Sequence, residues 1–208
     1  MGVMGKNGIT VDTPANILFG AGTYYKNLTW DNEKAEWTGT CIGATNGGGK
    51  LTIEGEYIDL EVDGALVLFK GQTVKAGGKA SMEVSLAEIS NKNFALFANF
   101  EQGVLDVDDN KGLFYGLTVD KPNIEDGDYI ENLAFVGKTA HGAKDIIVLF
   151  KYALCKSAFE LEAKNKSQSG LKAVFEAYAD LTLNPQANCD YNFDTLPVEI
   201  YYPPDVIN

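Results

Sequence analysis

Glu160 and Glu162 alternate along the run Phe159-Glu160-Leu161-Glu162-Ala163, and paired carboxylates of this kind could flank a glycosidic bond as acid and base. Alternating acids on a strand are far more often a solvated face, no Gly-x-Ser-x-Gly elbow accompanies them, and no cysteine has a marked basic neighbour beyond Lys156. Asp106, Asp108 and Asn110 have the spacing of the first ligands of a calcium loop. Lys111 then stands where that loop needs glycine, and Leu117 where it needs its bidentate glutamate. His141 is the only histidine, so a usual zinc site cannot be built around it, and Ala140-His141-Gly142-Ala143 reads as an exposed loop. The glycine-rich run from Gly43 to Thr52 resembles a phosphate loop around Lys50. Ala44 and Leu51 take the places of the required glycine and hydroxyl, and a β-like run follows instead of a helix. Cys41, Cys155 and Cys189 are widely spaced and odd in number, which fits reduced structural thiols. The expectation is a protein that is not an enzyme and uses no metal or cofactor.

The acids make better sense as faces of strands. In Ile58-Asp59-Leu60-Glu61-Val62-Asp63, apolar residues and carboxylates alternate, and a strand separates them onto opposite faces. The alternation returns around Glu83 in Ala80-Ser81-Met82-Glu83-Val84-Ser85-Leu86, around Glu160 and Glu162, and around Glu176 in Phe175-Glu176-Ala177-Tyr178. One face of each is expected to bury and the other to form a negative wall.

These strands belong to a chain punctuated by glycine. Strands are predicted at 37–42, 50–62, 65–70, 72–76 and 79–87, with turns at Asn46-Gly47-Gly48-Gly49, Asp63-Gly64 and Gly77-Gly78. Ser90 can cap a short helix carrying Phe94, Phe97 and Phe100, with Gly103 placed to end it. A turn at 106–112, a strand at 113–119 and a polar loop at 123–128 follow. The apolar run Ile146-Ile147-Val148-Leu149-Phe150 within 145–155 predicts a strand covered on both faces. Segments 157–164 and 171–183 read as a hairpin about the turn at 165–170, and 196–202 as a last strand stopped by Pro203-Pro204. Residues 1–13, rich in Gly, Lys, Asn and Thr, predict a flexible arm, leaving 14–208 as a single β domain.

Composition narrows the function classes. The 208 residues are 45% hydrophobic and 22% charged, enough for a core. Asp and Glu number 29 against 17 cations, every one a lysine, for a net charge of -12. A chain without arginine and with that balance is a poor binder of nucleic acid or of an anionic membrane. No apolar run of signal-peptide length opens the sequence, and none of 18 uncharged apolar residues occurs in it, so a soluble protein made in the cytoplasm is expected. The sequons at Asn27 and Asn165 are then chance matches.

The stretch Ile17-Leu18-Phe19-Gly20-Ala21-Gly22-Thr23-Tyr24-Tyr25-Lys26-Asn27 is followed by Gly39-Thr40-Cys41-Ile42-Gly43-Ala44-Thr45-Asn46-Gly47-Gly48. Glu56-Tyr57-Ile58-Asp59-Leu60-Glu61-Val62-Asp63-Gly64, Lys70-Gly71, Ala80-Ser81-Met82-Glu83-Val84 and the ending Pro197-Val198-Glu199-Ile200-Tyr201-Tyr202-Pro203 come after. In pattern and order these resemble the major tail (tube) proteins of tailed bacteriophages and prophages of Gram-positive bacteria. The likeness runs from about Ile17 to Pro203, leaving out the N-terminal arm and 184–194.

The resemblance implies a mainly β, sandwich- or barrel-like tail-tube fold with one short α-helix. It implies a virion protein, assembled in the bacterial host cytoplasm into stacked hexameric rings that conduct DNA. Its partners would be copies of itself and the tape-measure, tail-terminator and baseplate proteins, with no membrane and no specific hold on DNA. A negative lumen wall fits such a conduit, because lysine-lined walls would gain affinity from counterion release and hold the duplex. Asp59, Glu61, Asp63, Glu83, Glu160, Glu162 and Glu176 are the candidate lumen residues, and Asn46, Gly47, Gly48 and Gly49, with the arm, the candidate contacts between subunits. A carbohydrate- or receptor-binding β-sandwich of a tail tip or baseplate is the alternative, with Trp30, Trp37, Tyr24, Tyr25, Tyr201 and Tyr202 as its aromatics. A hydrolase is a further rival, and would need a pocket of convergent polar groups.

Overall fold

A computed structural model describes residues 18–64, 66–98, 101–103, 116–118, 122–139, 145–158, 165, 170–180 and 195–202. It is mainly β, with one α-helix among the described residues. The strands are β1 (Leu18–Asp31), β2 (Glu36–Cys41), β3 (Thr45–Asp59), β4 (Thr73–Leu86), β5 (Glu101–Gly103), β6 (Gly116–Thr118), β7 (Ile130–Thr139), β8 (Asp145–Cys155), β9 (Leu171–Tyr178) and β10 (Val198–Tyr201). Helix α1 spans Asn91–Ala98.

Eight strands form one antiparallel sheet in the order β2-β1-β7-β8-β9-β4-β3, with β10 also on β8, while β5 and β6 pair separately. The sheet folds back so that β1 meets the start of β3. The Thr45 hydroxyl donates to the Gly22 carbonyl at 3.5 Å, and the Tyr24 hydroxyl reaches the Glu83 carbonyl at 3.2 Å. Gly49 permits this closure, since a Cβ there would fall inside the Tyr24 hydroxyl. Inside lie Tyr24, Met82, Val84, Leu86, Leu133, Phe150, Leu171 and Phe175, all essentially inaccessible to solvent. Full burial of each contributes about 1.5–3 kcal/mol.

Period-2 alternation explains β4 and β9: Ala80, Met82, Val84 and Leu86 are buried, as are Leu171, Ala173 and Phe175, while the residues between them are not. β8 is covered on both faces, as its continuous apolar run predicts. Val148 and Phe150 enter the main core, and Ile147 and Leu149 join Leu28 and Ala134 in a second cluster beneath Trp37. The Ser90 hydroxyl caps α1 by accepting the Asn93 amide at 3.3 Å, and Phe97 packs edge-on against Phe175 at 5.4 Å.

Several expectations need correction. The helix ends at Ala98, and Gly103, expected as its stop, lies in β5. Gly77 and Gly78 are not a turn but pair with Glu56 and Gly55 inside a continuous β4. Asn46-Gly47-Gly48-Gly49 is likewise not a turn: it lies within β3, where the register slips between Thr45 and Gly49, and Gly47 and Gly48 take φ of 82° and 76°. Of the strand predicted at 65–70, the described residues 66–70 form a loop, and β3 stops at Asp59. β1 and β7 were not predicted at all. The arm at 1–13, Phe100, the turn at 106–112 and residues 159–164 of the strand predicted at 157–164 lie outside the described residues.

Candidate functional site

Among the described residues, the candidate acids lie in separate places. Asp59 closes β3 and accepts a hydrogen bond from the Thr73 hydroxyl across the hairpin, at 2.5 Å. Glu61 and Asp63 lie beyond the strand, exposed in the loop. Glu83 and Glu176 share one face of β4 and β9, turned from the core residues Met82 and Phe175. That face is mixed in charge, because Lys50 stands opposite Glu83 and the Lys156 ammonium lies 2.8 Å from the Glu176 carboxylate. Burial of apolar partners holds for Glu83 and Glu176. It fails for Asp59, Glu61 and Asp63, whose neighbours Ile58, Leu60 and Val62 are each about half exposed. Glu160 and Glu162 lie outside the described residues, as do His141, Asp106, Asp108, Asn110 and Cys189.

The end of the β3–β4 hairpin is the chain's most apolar exposed surface among the described residues. Leu66 is 98% exposed, Val67 79%, Leu68 65% and Phe69 52%, joined by exposed Tyr57, Ile58, Leu60, Val62 and Val74. The loop that carries them is stitched. Gln72, only 7% exposed, donates from its side-chain amide to the Leu60 carbonyl at 2.5 Å and accepts the Phe69 amide at 3.1 Å. Its backbone exchanges further bonds with Leu60 and Phe69. Gly64 and Gly71 turn the chain at φ of 83° and 97°, backbone that side chains avoid. The apolar side chains are therefore held outward by a bonded scaffold. The sequence shows these residues but not their exposure, since a short apolar run reads equally well as a buried strand.

A second exposed feature lies on β1, β2 and β10. Trp30 meets Trp37 edge-on at 5.5 Å, and Trp37 meets Tyr201 at 4.9 Å. The Tyr201 hydroxyl donates to Glu199, which Lys151 also holds at 2.9 Å. That bond pushes the Tyr201 hydroxyl up to about 12, and Glu199 is held below the ordinary carboxylate range by the same hydroxyl, with help from Lys151. Tyr24, expected among the exposed aromatics, is a core residue, pushed up to about 12 by burial and then by the Glu83 charge. The Cys155 thiol donates to the Phe97 carbonyl and is raised by burial, as an inert structural thiol is.

Among the described residues no helix is long and apolar enough to cross a membrane, and no three His, Cys, Asp or Glu gather as metal ligands. What the fold defines is a mainly β protein built on one curled antiparallel sheet with a projecting apolar hairpin. No family model matches the chain, and no curated protein is significantly similar to it.

Proposed function

We propose that the chain is a structural subunit that assembles with copies of itself, in the manner its sequence resemblance implies: hexameric rings stacked into the tube of a phage tail, through which DNA passes. The single observation that carries this reading is the stitched hairpin end. A chain that places Leu66, Val67, Leu68 and Phe69 in water on an ordered scaffold has a surface to cover, and contiguous exposed apolar area of this kind marks an interaction site. A hairpin end on one side of a subunit has no copy of itself to meet in a head-to-tail contact. It must seat on a different surface of the next copy, and such heterologous contacts close into rings or propagate as filaments. Among the described residues β2 and β3 are the edges of the sheet, where a neighbouring copy could add its own backbone hydrogen bonds.

The alternative, a carbohydrate-binding module, draws on the Trp30, Trp37 and Tyr201 cluster. Those rings meet edge to face, at 68° and 62°, and so present a ridge where a sugar would need a flat platform. Negative-stain electron microscopy of the purified full chain tests the reading. Rings or tubes are expected, and monomers or trimers at all concentrations would refute it.

A further inference from the structure

A row of side chains on the outer face of the sheet ends in a cleft of about 550 Å3 that the assembly reading leaves unused. Glu131 of β7 pairs with Tyr152 of β8, which pairs with Tyr178 of β9, so these three adjacent residues point to the same side. A single 3-10 turn at Asp126–Asp128 brings Asp126 and Tyr129 over one end. It is held by the Glu125 amide donating to Asp128 at 2.7 Å. Asp180, just past β9, completes the rim.

Among the described residues the lining contains three tyrosines and three carboxylates and no lysine. The tyrosines are half-buried, and Tyr129 meets the Tyr178 ring edge-on at 5.3 Å. The nearby cation, Lys156, is engaged with Glu176 at 2.8 Å and lies 5.9 Å over the Tyr178 ring, so a ring of this cleft already carries an ammonium on its face. The carboxylates do not gather as metal ligands. Their spread instead matches a ligand with a charged head and an apolar stem, which rings and carboxylates hold together.

We propose that this cleft binds an alkylammonium group, the ammonium facing Asp126, Glu131 and Asp180 and the methylene stem lying against Tyr129, Tyr152 and Tyr178. Two of these carboxylates act on a ring of the cleft: burial first, then the charge and hydrogen bond of Asp180 and the charge of Glu131, push the Tyr152 hydroxyl up. The group could be a lysine side chain of another polypeptide or a small free amine. Because the cleft lies within one chain, its test does not depend on assembly.

The experiment is a titration of the full chain at low salt, followed by the ring resonances of the three tyrosines. The probes are n-butylammonium and Nα-acetyl-lysine N-methylamide, against n-butanol and the norleucine counterpart. Saturable shifts with both amines are expected, at least tenfold tighter than with the neutral probes, and weakening as salt rises. Tighter binding of the capped lysine assigns the site to a polypeptide partner, and tighter binding of butylammonium assigns it to a free amine. Asp126→Asn with Glu131→Gln, both at exposed positions, should weaken the amine about tenfold, and Asp180→Asn, which keeps a partner for Tyr152, should do so alone. Equal binding of the neutral probes, or unchanged amine binding in folded variants, would overturn the proposal.

Discussion

Replacing Leu66 and Phe69 together with serine separates assembly from folding. Leu66 is 98% exposed, so the isolated subunit gains little from it, and the half of Phe69 already covered is worth about 1 kcal/mol, so the change in the subunit's stability should stay within about 1 kcal/mol. An interface has nearly all of the leucine and half of the phenylalanine left to bury, worth about 2 and about 1 kcal/mol respectively. Together these correspond to about a hundredfold in an association constant. The critical concentration for assembly, measured by sedimentation of the full chain against a urea unfolding curve of the same variant, should therefore rise by about two decades while the midpoint falls only slightly. An unchanged critical concentration would refute the role of the hairpin end. A large drop in the urea midpoint would show instead that these side chains pack within the subunit.

Gln72→Ala should speed exchange of the Phe69 amide, which bonds to the Gln72 side chain, and cost about 1–2 kcal/mol locally, read by hydrogen exchange. Gly22→Ala combines φ of 68° with a Cβ driven into the Phe135 ring, so a loss of about 2 kcal/mol or more in urea denaturation is expected. Glu199 has its pKa lowered from 4.5, so its share of stability is present above that value and is lost as pH falls through the lower folded value. Trp37 fluorescence beside Tyr201 should report release of β10 there, and Glu199→Gln should flatten that transition. Within the tube reading, Glu83→Lys places a cation beside Lys50, and assembled tubes should then retain DNA at low salt and release it as salt rises.

The sequence made the alternating strands legible where one face is buried. β4 and β9 follow their period residue by residue, and β8 follows its apolar run. β1 and β7 were missed because their periods are broken. β1 carries a positive φ at Gly22 and Asn27 and slips register against both neighbours, and β7 has Asn132 at φ 46°. The 58–63 alternation reads as a half-buried strand, yet the hairpin outruns the core there and nothing covers its apolar side. Periodicity reports which residues share a face and not whether that face meets anything. The lysines beside Glu83 and Glu176 were hidden for a related reason: Lys50 meets Glu83 only through the β3–β4 register, and Lys156, just past β8, meets Glu176 only because β8 and β9 pair. The tyrosine cleft was invisible for the same cause, since Glu131, Tyr152 and Tyr178 meet only across three strands.

β8 has one property that bears on how the sheet comes apart. β7 takes one of its edges, so β9 and β10 must share the other, β9 along 152–155 and β10 along 147–150. The changeover is at Lys151, whose amide turns to the Pro197 carbonyl at 3.2 Å. The sheet is thus branched. β10 can peel away as a unit of four residue pairs while β9, β4 and β3 stay zipped, and its amides form a separate class of opening event from the rest of the sheet. Tension applied through the C-terminal segment would meet this branch before it met the core, which makes β10 a mechanical fuse for the fold.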